Sequence, residues 1–178
     1  INHLEKNFND SKKNLVLANT IKQKIFKSDA DKRINFTNYV HEKYSKNESN
    51  THKYLQNKNY FFIVGMPRSG STLVESIISQ NNNVFDLGET EALPYSYKKW
   101  LQNYKKESLL EIYKKEINFD LIDSQNITDK NLSNYSLVPI ILEQIKNSKI
   151  IHCYRNPLDN ILSIYRANFM SGYTYSSS

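Results

Sequence analysis

Residues 60–80 read YFFIVGMPRSGSTLVESIISQ, and no other stretch constrains the fold as strongly. Residues 60–64 form a continuous apolar, β-rich run, the pattern of a strand buried on both faces. A turn follows, Gly65-Met66-Pro67-Arg68-Ser69-Gly70-Ser71-Thr72, and residues 70–80 then place Leu73, Val74, Ile77 and Ile78 on a helical face. A strand, a glycine-framed turn and a helix start gather backbone N–H groups and the positive end of a helix dipole around an anion. The whole chain has only four glycines, so two of them framing one turn indicates a backbone that needs them. Ser69, Ser71 and Thr72 add hydroxyl donors to the cradle.

The loop departs from the nucleotide triphosphatase pattern GxxxxGK[ST], in which the lysine reaches the β/γ-phosphates and the hydroxyl holds magnesium. Ser71 stands where that lysine belongs, and Arg68 lies inside the loop. A second apolar strand, KIIHCYR over 149–155, ends in Arg155 and not in a metal-binding aspartate. The cradle therefore suits a terminal phosphate-like group neutralised by arginine, with no obligatory metal.

Strands alternate with helices along this part of the chain. Residues 84–87 and 126–128 read as short strands, and 90–115 and 135–145 as helical. A further helix starts at Pro157, with Asn156 as its N-cap and Asp159 at its positive end. This alternation predicts a doubly wound α/β fold with a parallel sheet. Ligands in such sheets bind beyond the carboxyl ends of the strands, where Arg68 and Arg155 both lie. Arg155 and Ser163, two turns into the last helix, form a candidate second anion site, because arginine offers a planar fork of donors to phosphate. Two such sites point to a nucleotide phosphorylated at two separate places.

Residues 1–57 are polar, lysine-rich and free of glycine and proline, with Leu17, Ala18, Ile21 and Ile25 at helical spacing. They read as a helical lead-in to a domain over 58–178. Residues 36–55 form one or two further helices, and KSDADKR and KNESN read as loops. The net charge of +6 favours anionic partners without choosing among them, and no basic block or RNA-binding motif appears. The single cysteine, Cys153, excludes an internal disulfide and a cysteine-built metal site, and its apolar setting marks a buried structural thiol. No run reaches the roughly 18 apolar residues of a membrane span, and the composition fits a cytoplasmic protein.

Together, FIVGMPRSGSTLVESIISQ and HCYRNPLDNILSIYRANF resemble the sulfotransferase superfamily, most closely its bacterial members with tetratricopeptide helices and the tyrosylprotein sulfotransferases. The first is similar to the family's 5′-phosphosulfate loop and the second to its 3′-phosphate segment. LGETEALP resembles the GE motif that follows the first helix, and TDKNLSNY the TDK-x-P-x-N-F stretch. The resemblance covers about 60–175 and implies a P-loop-like three-layer fold, C-terminally incomplete here.

It also implies a donor, 3′-phosphoadenosine 5′-phosphosulfate (PAPS), with 3′-phosphoadenosine 5′-phosphate (PAP) as product, no metal, and a hydroxyl acceptor such as protein tyrosine or carbohydrate. Carried over by position, Pro67, Arg68, Ser69, Gly70, Ser71 and Thr72 hold the 5′ side, and Arg155 and Ser163 the 3′-phosphate. Arg68 stabilises developing charge, Glu89 is the general base, and Lys130 supports the bridging oxygen of the leaving group. Ser71 replaces the family's usual first threonine, and Leu132 stands where it usually has proline. Two other readings stay open. One is a divergent phosphate-loop kinase using magnesium and ATP. The other is a nucleotide-binding or scaffold module without turnover.

Overall fold

The computed structural model describes residues 7–45, 58–103, 106–167, 169 and 174–177. Their contacts divide the chain into two compact units, one made of 37–154 and the other of 1–36 with 155–178.

The larger unit is built on four parallel strands: β1 (Asn59–Gly65), β2 (Val84–Asp86), β3 (Asn126–Asp129) and β4 (Ser148–Cys153). They are ordered β2-β3-β1-β4. The register pairs Asn59 with Asn126, Tyr60 with Ser148 and Val84 with Asn126. The expected α/β class with a parallel sheet is the observed one. Because β2 and β3 lie on one side of β1 and β4 on the other, the loop leaving β1 stands where strand placement switches sides, the crevice such sheets use for ligands. Tyr60, Phe62, Ile63 and Val64 are all buried, which accounts for the unbroken apolar run of β1.

Helices α3 (Ser71–Ile78), α4 (Ala92–Gln102), α5 (Leu109–Glu116) and α6 (Val138–Gln144) complete this unit, together with the last part of α2 (Ala30–Tyr44). Tyr60, Phe62 and Val64 from alternate positions of β1 join Leu93, Trp100, Leu109, Ile112, Tyr113, Ile140 and Ile141 in one core. The helical stretch expected over 90–115 is two helices. Ser108 caps the second by accepting from the Glu111 N–H at 3.1 Å. The helix expected from residue 135 opens as a 3-10 turn, Leu132–Leu137, and becomes α-helical only at Val138, with Pro139 in its first turn.

In the smaller unit, α1 (Phe8–Ile25) packs against the C-terminal segment. Asn19 Nδ2 donates to the Tyr165 carbonyl at 3.2 Å, and Lys22 Nζ to Ser176 Oγ at 2.8 Å. Asp29 accepts from Thr174 Oγ1 at 2.6 Å, so KSDADKR is only partly a loop: α2 already begins at Ala30. KNESN lies outside the described residues. Helix α7 (Pro157–Ala167) starts as expected, with Asn156 Oδ1 accepting the N–H groups of Leu158 and Asp159 at 3.0 and 3.3 Å.

Candidate active site at the carboxyl ends of the strands

The loop after β1 is shaped by two unlike glycines. Gly65 has φ +143°, and a Cβ there would stand 2.4 Å from the Cys153 carbonyl oxygen. Glycine is thus the residue that lets β1 and β4 run side by side to their ends. Gly70 has φ +95° and caps α3, with open space around it. Between them Arg68 adopts φ +66°, a left-handed conformation uncommon outside glycine and seldom kept without a local reason. Pro67 is buried and Arg68 exposed. Ser69 Oγ is buried and has no hydrogen-bond partner among the described residues. A hydroxyl buried that way is costly, and an anion in the loop would satisfy it. The loop therefore fits the phosphate end of a nucleotide.

Helix α3 buries the face expected from its pattern only in part, with Val74 and Ile78 half-buried. Leu73 and Ile77 are 66% and 64% exposed, whereas Ser71 and Glu75 are buried. The inward face is polar because a lysine from another strand meets it. Lys130, just past β3, is only 5% exposed. Its Nζ lies 3.0 Å from Glu75 Oε2, 3.1 Å from Glu89 Oε1 and 3.4 Å from Thr72 Oγ1. Burial alone would lower the Lys130 pKa, but pairing with Glu75 and Glu89 outweighs it, so its ammonium form is favoured. Burial pushes the Glu75 carboxyl up, the nearby Asp86 adds to this, and Lys130 opposes it.

Glu89 sits in the loop after β2, with its side chain 67% exposed and open to an incoming molecule. Backbone bonds hold the residues beside it. Lys130 N–H donates to the Gly88 carbonyl at 3.0 Å, and Asn131 Nδ2 donates to the Thr90 carbonyl at 2.8 Å. Asn131 Nδ2 also reaches Glu91 Oε1 at 3.0 Å, so the second acid of the GETE stretch is engaged by the β3 loop. Asp129 fixes that loop: its Oδ1 accepts from the Asn131 N–H at 3.0 Å and Asn134 Nδ2 at 3.1 Å, and its Oδ2 from the Tyr113 hydroxyl.

Three of the expected residues, Thr72, Glu89 and Lys130, thus converge from the ends of three strands. Arg155 and Ser163 belong to the other compact unit, Arg155 two residues beyond β4 and Ser163 in the second turn of α7. Pattern reading missed Glu75, Asp86 and Asp129. The available signal for Glu75 was a lone charge in an apolar run four residues after Ser71, one helical turn away. Cys153 is buried as expected, and burial raises its thiol pKa. No helix among the described residues is long and apolar enough to cross a membrane.

A model of the sulfotransferase family matches residues 61–178. An uncharacterized protein of Aquifex aeolicus (strain VF5) is 35% identical over 132 residues, which are 63% of this chain and 17% of that protein. The chain thus spans about a sixth of that relative's length. No solved structure matches the chain significantly. The family match takes in the glycine-framed loop, the Lys130 cluster and the α7 segment, and on it the chain belongs to the sulfotransferase family.

Proposed function

We propose that the chain transfers a sulfuryl group from PAPS to a hydroxyl acceptor, in the manner of the tyrosylprotein and bacterial tetratricopeptide-linked sulfotransferases. The observation that carries this reading is Lys130, whose ammonium joins the helix start after the phosphate loop (Thr72) to the GE loop (Glu89) within hydrogen-bond reach. In this reading residues 58–178 form the catalytic domain and the preceding helices a lead-in.

The donor, when bound, supplies the sulfuryl group and a phosphate as leaving group. Pro67, Arg68, Ser69, Gly70, Ser71 and Thr72 hold its 5′ end, with Ser69 Oγ gaining the partner it lacks. Arg155 and Ser163 take the 3′-phosphate. Glu89 accepts the proton of the acceptor hydroxyl as that oxygen bonds to sulfur, and its exposure lets an acceptor approach. Lys130 and Arg68 meet the negative charge that grows on the departing phosphate oxygen. Glu75, buried and held by Lys130, is poorly placed for the proton transfer that Glu89 can perform.

The test is product formation. Incubation with PAPS and a panel of phenols, tyrosine peptides and oligosaccharides, read by mass spectrometry, should yield a sulfonated acceptor and PAP. Transfer of phosphate from ATP with magnesium to the same panel, and none of sulfate, would overturn the assignment in favour of a kinase.

A further inference from the structure

In-line transfer places the base and the leaving oxygen on opposite sides of the sulfur. Lys130 therefore cannot stay on Glu89 while it serves the leaving side, and one of its two carboxylates has to let go. The two are not equivalent. The side chains of Lys130 and Glu75 are 7% and 8% exposed, so their pair is closed to solvent. Glu89 is 67% exposed, and water screens its half of the contact. A buried charge that loses its partner is left uncompensated, whereas an exposed carboxylate is solvated at once.

The mounting of the two acids differs too. Glu75 is carried on α3, one turn beyond Ser71, with its side chain facing inward. Glu89 lies between two residues whose carbonyls are held by Lys130 and Asn131, so its side chain can turn away while its main chain stays. Thr72 Oγ1, 3.4 Å from Lys130 Nζ, already places the ammonium beside the start of the loop's helix.

We propose that Glu75 is a positioning residue that keeps Lys130 beside the phosphate loop, and that Lys130 exchanges Glu89 for the donor's phosphosulfate oxygens when the nucleotide binds. Donor binding then frees the base, so proton abstraction waits for a loaded site. This rests on the sulfotransferase reading above.

The test reads the Lys130 ammonium directly, by 15N NMR of its hydrogen exchange, with the signal assigned by its loss in Lys130→Met. Without nucleotide, Glu75→Gln should speed exchange by about tenfold or more. Glu89→Gln should change it less than about threefold. In saturating PAP the effect of Glu89→Gln should vanish while that of Glu75→Gln persists. An equal or larger effect of Glu89→Gln without nucleotide, or its persistence with PAP, overturns the proposal. Should Glu75→Gln fail to fold, the double variant Glu75→Gln/Lys130→Met should fold again, and a double variant that stays unfolded contradicts the pairing role. If PAP binds none of these proteins, the nucleotide reading falls and the release step with it. The comparison made without nucleotide still decides whether Glu75 is the anchor.

Discussion

Tyr113 donates its hydroxyl to Asp129 Oδ2 at 2.9 Å, and neither side chain is more than 1% exposed. The tyrosine comes from α5 and the aspartate from the end of β3, so this bond ties the core to the loop that carries Lys130. Burial is the largest influence on Asp129 and raises its carboxyl. The Asn131 N–H and the Tyr113 hydroxyl oppose this, Glu91 and Glu75 add to it, and the pKa reaches about 7. Burial, with Asp129 beside it, holds the Tyr113 hydroxyl well above its ordinary range, so it stays a neutral donor.

A stability profile follows from that shift. The folded state holds the Asp129 proton more tightly than the unfolded chain, whose aspartate has its ordinary value of 3.8. Its contribution is therefore complete below about pH 4 and is lost as the pH rises through about 7. Denaturant titrations at intervals across that window should show Asp129→Asn with a flatter decline than the unaltered protein. Parallel declines would mean that Asp129 ionises in the core without penalty. Tyr113→Phe, which removes one donor, should cost about 1–3 kcal/mol at pH 8.

The two loop glycines should respond differently to alanine. At Gly65 the methyl meets the Cys153 carbonyl at 2.4 Å, and the backbone is strained as well. A loss of about 3 kcal/mol or more is expected from clash and strain together. At Gly70 nothing beyond the adjoining residues lies within 4 Å of the added methyl, leaving only the cost of a positive φ, about 1–2 kcal/mol. Urea midpoints of the two variants measure the difference, and equal losses would contradict the close approach of β1 and β4.

Glu89→Gln separates chemistry from binding. Loss of the base should lower kcat by about 10²–10⁴-fold. PAP affinity should hold within a few fold, and stability within about 1 kcal/mol, because the carboxylate is mostly solvated. Turnover unchanged in this variant would move the base role to another residue, with Glu91, held by Asn131, the next to substitute.

Much of this architecture was legible in the chain. The apolar run of β1 and the glycines of its loop announced both strand and turn, because a strand inside a parallel sheet needs apolar residues on both faces. Strand β3 gave a weak signal, since Ile127 is its only apolar residue, yet it pairs with both β1 and β2. Its buried Thr128 and Asp129 are tolerated because Asp86, Tyr113, Asn131 and Asn134 provide hydrogen-bond partners, and most of these lie on other elements. The inward turn of α3 was hidden for the same reason. Periodicity assigns Leu73 and Ile77 to the core, and only the arrival of Lys130 gives a buried Glu75 a partner of opposite charge that offsets part of its desolvation. Local pattern reports apolar burial well and reports polar burial only when the partner is near in sequence.

The proposed site for a nucleotide carrying phosphate at both its 5′ and 3′ positions can be probed by calorimetric titration with PAP in the presence of a chelator, beside ATP with magnesium. Metal-independent PAP binding is expected, and Arg68→Ala and Arg155→Ala should each weaken it by at least about tenfold, through loss of a charge-assisted phosphate contact. Binding of magnesium-ATP with no binding of PAP would contradict the proposed site.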